Sequence, residues 1–219
     1  MDKTAENLKR IKAQTAPYNP AVIAVTKYFD ASQIIKYYNL GLRDFGENRV
    51  KEALDKMEKL PEEIRKNSRF HLIGHLQTNK AKLAAGNFDL IHSVDSVKLA
   101  EALNAAAEKK NIVQKILLQI NNAKEEQKSG FYPEEIKEAL LQIKDMKSLK
   151  ISGVMNIAPL NSTEIELHCL FKNIRQIYDD LQSEFKLELK QISMGMSRDF
   201  MIALEEGSNM IRLGRILFE

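Results

Sequence analysis

Cysteine occurs once in the 219 residues, at Cys169, so no disulfide can form within the chain. A framework of bridges is excluded, and a reducing, cytoplasmic setting is expected. No stretch approaches the roughly 18 apolar residues that a membrane helix needs, so no membrane partner is expected. The N-terminal MDKTAENLKRIKAQ is charged and amphipathic and lacks the apolar run of a signal peptide. Charge of one sign is not concentrated either: 33 Lys and Arg stand against 30 Asp and Glu, a net charge of +3, with acids interspersed as in KEALDKMEKLPEEIRK. Without a basic stripe interleaved with aromatics, nucleic-acid binding is not expected. Neither GxGxxG nor GxxxxGK followed by Ser or Thr is present, which argues against a dinucleotide fold and an NTPase. Of His71, His75, His92 and His168, the first two stand four apart, but in and just after a predicted strand rather than on one helix face. No third-ligand pattern joins them, so no metal site is expected; His71, alternating with apolar neighbours, reads as a hydrogen-bonded core residue. Cys169 falls within a helical stretch without an activating neighbour and reads as a packing residue.

What the chain does have is alternation. Short β-branched or apolar runs are followed by segments of helical spacing. AVIAVTKY (21–28) leads into ASQIIKYYNLG, and RDFGE (43–47) into a helix stopped by Pro61. RFHLIG (69–74) precedes a helix near 79–85, and LIHSVD (90–95) precedes SVKLAEALNAAAEKK, with Asp95 or Ser96 placed to cap it. QKILLQIN (114–121) reads as a strand buried on both faces, followed by a helix opened by Pro133. LKISGVMNI (149–157) precedes a long helix over about 162–184, whose apolar stripe is Leu167, Phe171, Ile174, Tyr178 and Leu181. KQISMGM (190–196) precedes a helix from Ser197 to Glu206, and MIRLGRILF (210–218) closes the chain. Eight such units imply a parallel sheet with helical crossovers. Their length fits one small (β/α)₈ barrel domain over residues 1–219, an open doubly wound sheet being the structural rival.

In a parallel barrel, chemistry collects at the C-terminal ends of the strands, and four places there carry polar groups. Lys27 ends the first strand: desolvation would make its amine a Schiff-base nucleophile, whereas a solvent-directed lysine is the plain alternative. Ser193-Met194-Gly195-Met196-Ser197 joins the seventh strand to a helix, with Ser197 as its N-cap and a ready partner for an anion. Arg212-Leu213-Gly214-Arg215 ends the last strand. A buried Arg212 must meet a ligand atom or a carboxylate such as Glu47. After the second strand, Glu47 and Asn48 either orient a ligand or brace the barrel mouth.

These segments together resemble the pyridoxal-phosphate homeostasis protein family, single-domain relatives of the alanine racemase barrel. The resemblance is carried by AVTK (24–27), FGENRVKE (45–52), FHLIGHLQTNKAKLA (70–84), KSG (128–130), ISGVMNIAP (151–159), SMGMSRDF (193–200) and IRLGRILF (211–218). It implies a barrel of the alanine racemase N-terminal type that binds pyridoxal 5′-phosphate. Lys27 is implied to carry the cofactor as a Schiff base, and Ser197 with the backbone amides of Gly214 and Arg215 to cradle its phosphate. Arg212 is implied to face the pyridine nitrogen, with Asn48 beside the ring. Arg215 departs from the small hydroxyl residue usual there, and the segment before the first strand looks short, so an N-terminal contact is expected to be missing.

The resemblance also bears on activity. The related racemases use the lysine and a tyrosine delivered by a second domain, and here no such domain is expected after Glu219. Of the tyrosines, only Tyr28 lies near a strand end. Two-base racemisation needs a second proton donor within hydrogen-bond reach, so the expectation is a non-enzymatic carrier with no catalytic residues. It would be a monomer that sequesters the cofactor and hands it to pyridoxal-phosphate-dependent apo-enzymes. An amino-acid racemase, or another enzyme acting at Cα, is the rival.

Overall fold

The computed structural model describes residues 3–219. The strands are β1 (Ala21–Val25), β2 (Asp44–Glu47), β3 (Arg69–Leu72), β4 (Leu90–Val94), β5 (Gln114–Ile120), β6 (Leu149–Asn156), β7 (Gln191–Ser193) and β8 (Met210–Leu213). They pair in sequence order, every pair parallel, and β8 closes onto β1 through the register Ala21↔Met210 to Ala24↔Leu213. The closed barrel replaces the open-sheet alternative.

Alternation along each strand sorts side chains into two layers. Ile23, Leu90, Leu117, Met155 and Met210 form an apolar cluster inside the barrel. Their neighbours Ala24, Ile91, Leu118, Val154 and Ile211 belong to the larger core between barrel and helices. That outer core is covered by α1 (Lys3–Thr15), α2 (Ala31–Asn39), α3 (Val50–Glu58), α4 (Glu62–Lys66), α5 (Ala81–Ala84), α6 (Val97–Lys109), α7 (Ile136–Ile143), α8 (Glu164–Phe185), α9 (Phe200–Glu205) and α10 (Arg215–Phe218). Local chemistry accounts for where several of them start. The Ser96 hydroxyl accepts the Leu99 N–H and caps α6, as the sequence allowed. Thr163 and Glu166 form a reciprocal capping box on α8, whose predicted stripe of Leu167, Phe171, Ile174, Tyr178 and Leu181 is buried.

Four expectations change. Pro61 does not merely stop α3 but precedes the extra turn α4, a place where its missing N–H costs nothing. Residues 133–135 form a turn, so α7 begins at Ile136 rather than at Pro133. Cys169 is exposed on α8 rather than packed, because it falls off the stripe that faces the barrel. The N-terminal segment does make a contact: α1 buries Leu8 and Ile11, and Asn7 Nδ2 donates to the Leu217 carbonyl of α10 at 3.4 Å. Among the described residues, no helix is long and apolar enough to cross a membrane.

Glu47 points outward, between β2 and α3. Its Oε1 accepts from Thr26 Oγ1 at 2.7 Å and from Lys56 Nζ at 2.7 Å, while Lys56 also donates to the Thr26 carbonyl at 2.9 Å. Glu47 is 2% exposed, so this knot fastens the ends of β1 and β2 to a helix in a place water hardly reaches. Removing one partner of a buried pair leaves an uncompensated charge. Glu47→Ala is expected to lower stability by about 3–5 kcal/mol. Urea unfolding checks this, and Lys56→Ala added to Glu47→Ala should cost less than the two single losses combined.

Candidate cofactor site

Because β7, β8, β1 and β2 are consecutive around the barrel, the loops after them form one arc of the mouth. All six sequence-predicted site residues lie on this arc. Thr26 extends the β1 ladder by donating its N–H to the Gly46 carbonyl at 2.9 Å, and a turn closed by Phe29 N–H to Thr26 O then begins. Lys27 stands in that turn, half-buried, two residues beyond the end of β1. Its Nζ lies 4.8 Å from the centre of the Tyr28 ring. Tyr28 itself is 86% exposed, so the one tyrosine at a strand end is turned towards solvent. On the same strand, Val25 is the nearest neighbour of Gly214: a Cβ on Gly214 would sit 3.7 Å from Val25 Cβ.

Ser197 is not the helix cap the sequence suggested. Residues 197–199 form a turn, and α9 starts at Phe200 with Asp199 before it. Asp199 Oδ1 accepts the Met196 N–H at 2.5 Å, which bends the loop back on itself. Gly195 makes the bend possible, with φ +93° and no room for a side chain, since a Cβ would lie 2.7 Å from Ala203 Cβ. The freed Ser197 hydroxyl accepts from the Gly214 N–H at 3.3 Å and the Ile216 N–H at 3.5 Å. These bonds are long and bring the β7 and β8 loops together around one polar spot. Arg215, the departure from the family pattern, is exposed beside it.

Arg212 is 3% exposed, and it does not meet Glu47, which faces the opposite layer. Its acceptors are the Ser193 carbonyl at 2.8 Å, Ser193 Oγ at 2.6 Å and the Asn156 carbonyl at 2.8 Å. In place of the carboxylate alternative, two carbonyls and a hydroxyl meet the guanidinium. Burial pushes the guanidinium down to about 10, with Asp199 acting in the opposite sense. Of the five N–H donors a guanidinium carries, these bonds use three, and the rest have no acceptor among the described residues.

Asn48, half-buried, stands at the β2 end of this arc. It borders a cavity of about 300 Å³ together with Ile73, His75, Gln119, Lys128 and Ile157. Lys27, Ser197, Arg212, Gly214 and Arg215 do not line that cavity. Gly74 packs against the Asn48 backbone so closely that a Cβ would lie 2.4 Å from the Asn48 carbonyl oxygen. His75, exposed over the cavity, has Asp95 Oδ2 and Ser129 Oγ each 3.1 Å from its Nδ1.

Beneath the mouth His71 is the buried, hydrogen-bonded residue the sequence suggested, but what it joins was not foreseen. Asp44 accepts from Arg69 through both carboxylate oxygens, and its Oδ1 lies 3.0 Å from His71 Nε2. His71 Nδ1 lies 3.0 Å from His92 Nε2, and His92 Nδ1 lies 3.0 Å from Ser193 Oγ. Sequence spacing does not announce the pairing of His71 with His92, because adjacent parallel strands bring them together. Burial, then the neighbouring His71 and Arg212, hold His92 well below the usual imidazole range. For Asp44, burial raises the carboxyl, but the hydrogen bonds of His71 and Arg69 outweigh it and the net displacement is downward. Among the described residues, no group of three or more His, Cys, Asp or Glu side chains is disposed to hold a metal ion.

The closed parallel barrel defines a protein of the alanine racemase N-terminal type, and the family model of the alanine racemase N-terminal domain matches residues 1–219. The pyridoxal phosphate homeostasis protein of Aquifex aeolicus is 39% identical over 197 residues, covering 90% of this chain and 85% of the relative. Its counterpart in Synechocystis sp. is 40% identical over 204 residues, covering 93% of each. The chain belongs to the pyridoxal phosphate homeostasis protein family. Among solved structures, PipY of Synechococcus elongatus PCC7942 with PLP bound is 39% identical, with a TM-score of 0.88, covering 99% of this chain and 100% of that one. Alanine racemase of Clostridium difficile 630, 17% identical with a TM-score of 0.79, shares the fold over 56% of its own length.

The displacement of Asp44 has a direct consequence. A carboxyl held below its unfolded value of about 3.9 stabilises the fold fully above that value, and the contribution disappears as pH falls through the folded value. Asp44→Asn is expected to cost about 1–3 kcal/mol at pH 7. The difference from wild type should shrink as pH falls below the unfolded value of about 3.9 and through the lower folded one, as measured by urea unfolding at a series of acid pH values.

Proposed function

We propose that residues 1–219 act as one pyridoxal 5′-phosphate-binding domain that holds the cofactor on Lys27, keeps it sequestered and passes it to pyridoxal-phosphate-dependent apo-enzymes. The observation that carries this reading is Arg212: a guanidinium buried in a barrel, with N–H groups still without acceptors, on the arc of the mouth that also bears Lys27 and the Ser197–Gly214 loop pair. The donor set fits the group. Ser197 Oγ and the N–H groups of Gly214 and Arg215 would take the phosphate, and Arg212 the pyridine nitrogen, with Asn48 beside the ring. The cofactor supplies an aldehyde, which Lys27 Nζ would take up as a Schiff base with loss of water. Arg215, exposed next to the phosphate loops, adds positive charge where the anion would sit. The relatives' name and the PLP-bound PipY structure support the cofactor assignment.

We place the protein among carriers rather than enzymes, acting in the cytoplasm as a monomer. A guanidinium stays protonated, so it would keep the ring nitrogen it faces unprotonated and weaken the cofactor as an electron sink. Tyr28, turned to solvent, offers no second base on the far face of a substrate.

Two measurements test this. Purified protein mixed with pyridoxal 5′-phosphate should give a visible absorption band that borohydride removes and Lys27→Ala lacks; absence of the band in wild type overturns the cofactor assignment. Loaded protein should restore activity to a cofactor-free pyridoxal-phosphate enzyme and should not exchange Cα deuterium into a panel of amino acids. Exchange that depends on Lys27 would replace the carrier reading with an enzyme acting at Cα.

A further inference from the structure

We propose that Asp44, His71, His92 and Ser193 are positioning residues for Arg212, forming a one-directional hydrogen-bond chain through which the carboxylate at the closed end of the barrel governs how Arg212 holds its ligand. The proposal rests on the reading that Arg212 faces the bound cofactor.

The path crosses the whole barrel. Asp44 is the first residue of β2 and pairs with Arg69, whose side chain is 59% exposed, so this end reaches solvent at the N-terminal face. Arg212 lies near the C-terminal end of β8. Between them stand His71 on β3, His92 on β4 and Ser193 on β7, each 3% exposed or less. β4 and β7 are not neighbours in the closed strand order, so the 3.0 Å contact of His92 with Ser193 spans the lumen. Flanking residues agree: Phe70 and Leu72, Ile192 and Met194, and Ile211 and Leu213 all belong to the outer core, which leaves His71, Ser193 and Arg212 facing inward.

The chemistry of the two ends fixes every proton. Arg212 has donors and no acceptor, so Ser193 Oγ accepts from it at 2.6 Å. The Ser193 hydroxyl proton then needs an acceptor, and His92 Nδ1 is the one within reach among the described residues. A His92 ring that accepts at Nδ1 carries its proton on Nε2 and donates to His71 Nδ1. His71 in turn donates from Nε2 to the Asp44 carboxylate, which only accepts. Starting from Asp44 gives the same assignment when each ring bears one proton. The reverse orientation would aim His92 Nδ1–H and Arg212 at Ser193 Oγ together and leave the serine proton without a partner in a dry interior. The depressed basicity of His92 agrees with a ring bearing one proton.

Aligned donors polarise one another, so the negative end of each dipole in this chain faces Arg212. The guanidinium, which lacks a carboxylate in hydrogen-bond contact, is thereby compensated from the far end of the barrel. Neutralising Asp44 releases the direction of the chain and alters the hold on Arg212 without touching the mouth.

Histidine ring ¹H–¹⁵N correlation spectra of cofactor-free wild-type protein at neutral pH are the first test, and they depend on no variant and no ligand. Protons on Nε2 of both His71 and His92 are expected; a proton on Nδ1 of either ring overturns the chain. The second test titrates pyridoxal 5′-phosphate into wild type, Asp44→Asn, Ser193→Ala and the double variant, each verified as folded by circular dichroism. Asp44→Asn should weaken binding about fivefold or more and displace the visible band. In the Ser193→Ala background, where the chain is cut, it should have no further effect. Additive losses, or a band and affinity unchanged by Asp44→Asn, overturn the proposal. If wild type gives no band while both rings carry Nε2 protons, the chain stands as a structural feature and the cofactor reading is what has failed.

Discussion

A guanidinium enclosed by a barrel is the constraint around which this interior is arranged. Arg212 cannot rely on water, so the protein must provide its acceptors. The ends of β6 and β7 do so with two carbonyls and the Ser193 hydroxyl. Each solution creates the next requirement: Ser193 needs an acceptor for its own proton, His92 needs a place for its Nε2 proton, and His71 needs a carboxylate. These polar residues of the lumen are therefore one dependent series, and the apolar cluster of Ile23, Leu90, Leu117, Met155 and Met210 packs beside them. Charge burial explains why such a small barrel has two histidines at its centre.

The same alternation that places Arg212 inward decides the work of its neighbours. In Phe45-Gly46-Glu47-Asn48, successive residues belong to different layers. Phe45 is in the outer core, and a Cβ on Gly46 would strike Ile23 and Ile73. Glu47 ties β1 and β2 to α3, while Asn48 rises to the cavity at the mouth. A motif that reads as one functional unit thus divides into packing, clearance, bracing and cavity-lining roles. Glu47 and Arg212 come from adjacent regions of the ring, yet they face opposite layers and never compete for one another.

Most of the fold was legible because burial leaves a periodic trace. The β-α alternation, the stripe of α8 and the cap at Ser96 all depend on residues within one or two turns of each other. What was not legible depends on how separate elements meet. Ser197 has the composition of a cap, but the Asp199–Met196 bond delays the helix, and its hydroxyl serves the next loop instead. The ends of Arg212 could be listed from the sequence, but not which carbonyls would reach it. His71 and His92 were unconnected on paper, since parallel register and the irregularity between Ile91 and Val94 set where their rings fall. Cys169 went astray for a simpler reason: one step around a helix separates the buried stripe from solvent.

On the carrier reading, the two ends of the cofactor are held on opposite terms, and the difference suits transfer. Arg212 is fixed by strand carbonyls in a dry interior, where hydrogen bonds are strong and rearrangement is costly. Lys27 stands in a turn, half-buried, beside a tyrosine that leaves its flank open. A Schiff base is undone by attack of water or of another amine at the same carbon, so release depends on how readily that carbon is approached. Placing the lysine in the turn rather than within β1 would expose the covalent bond while the ring and phosphate stayed anchored. An enzyme acting at Cα needs the opposite, a closed chamber in which water is kept from the reacting bond. The asymmetry between a buried arginine and an accessible lysine is thus the feature of this mouth that best separates holding a reactive cofactor from using it.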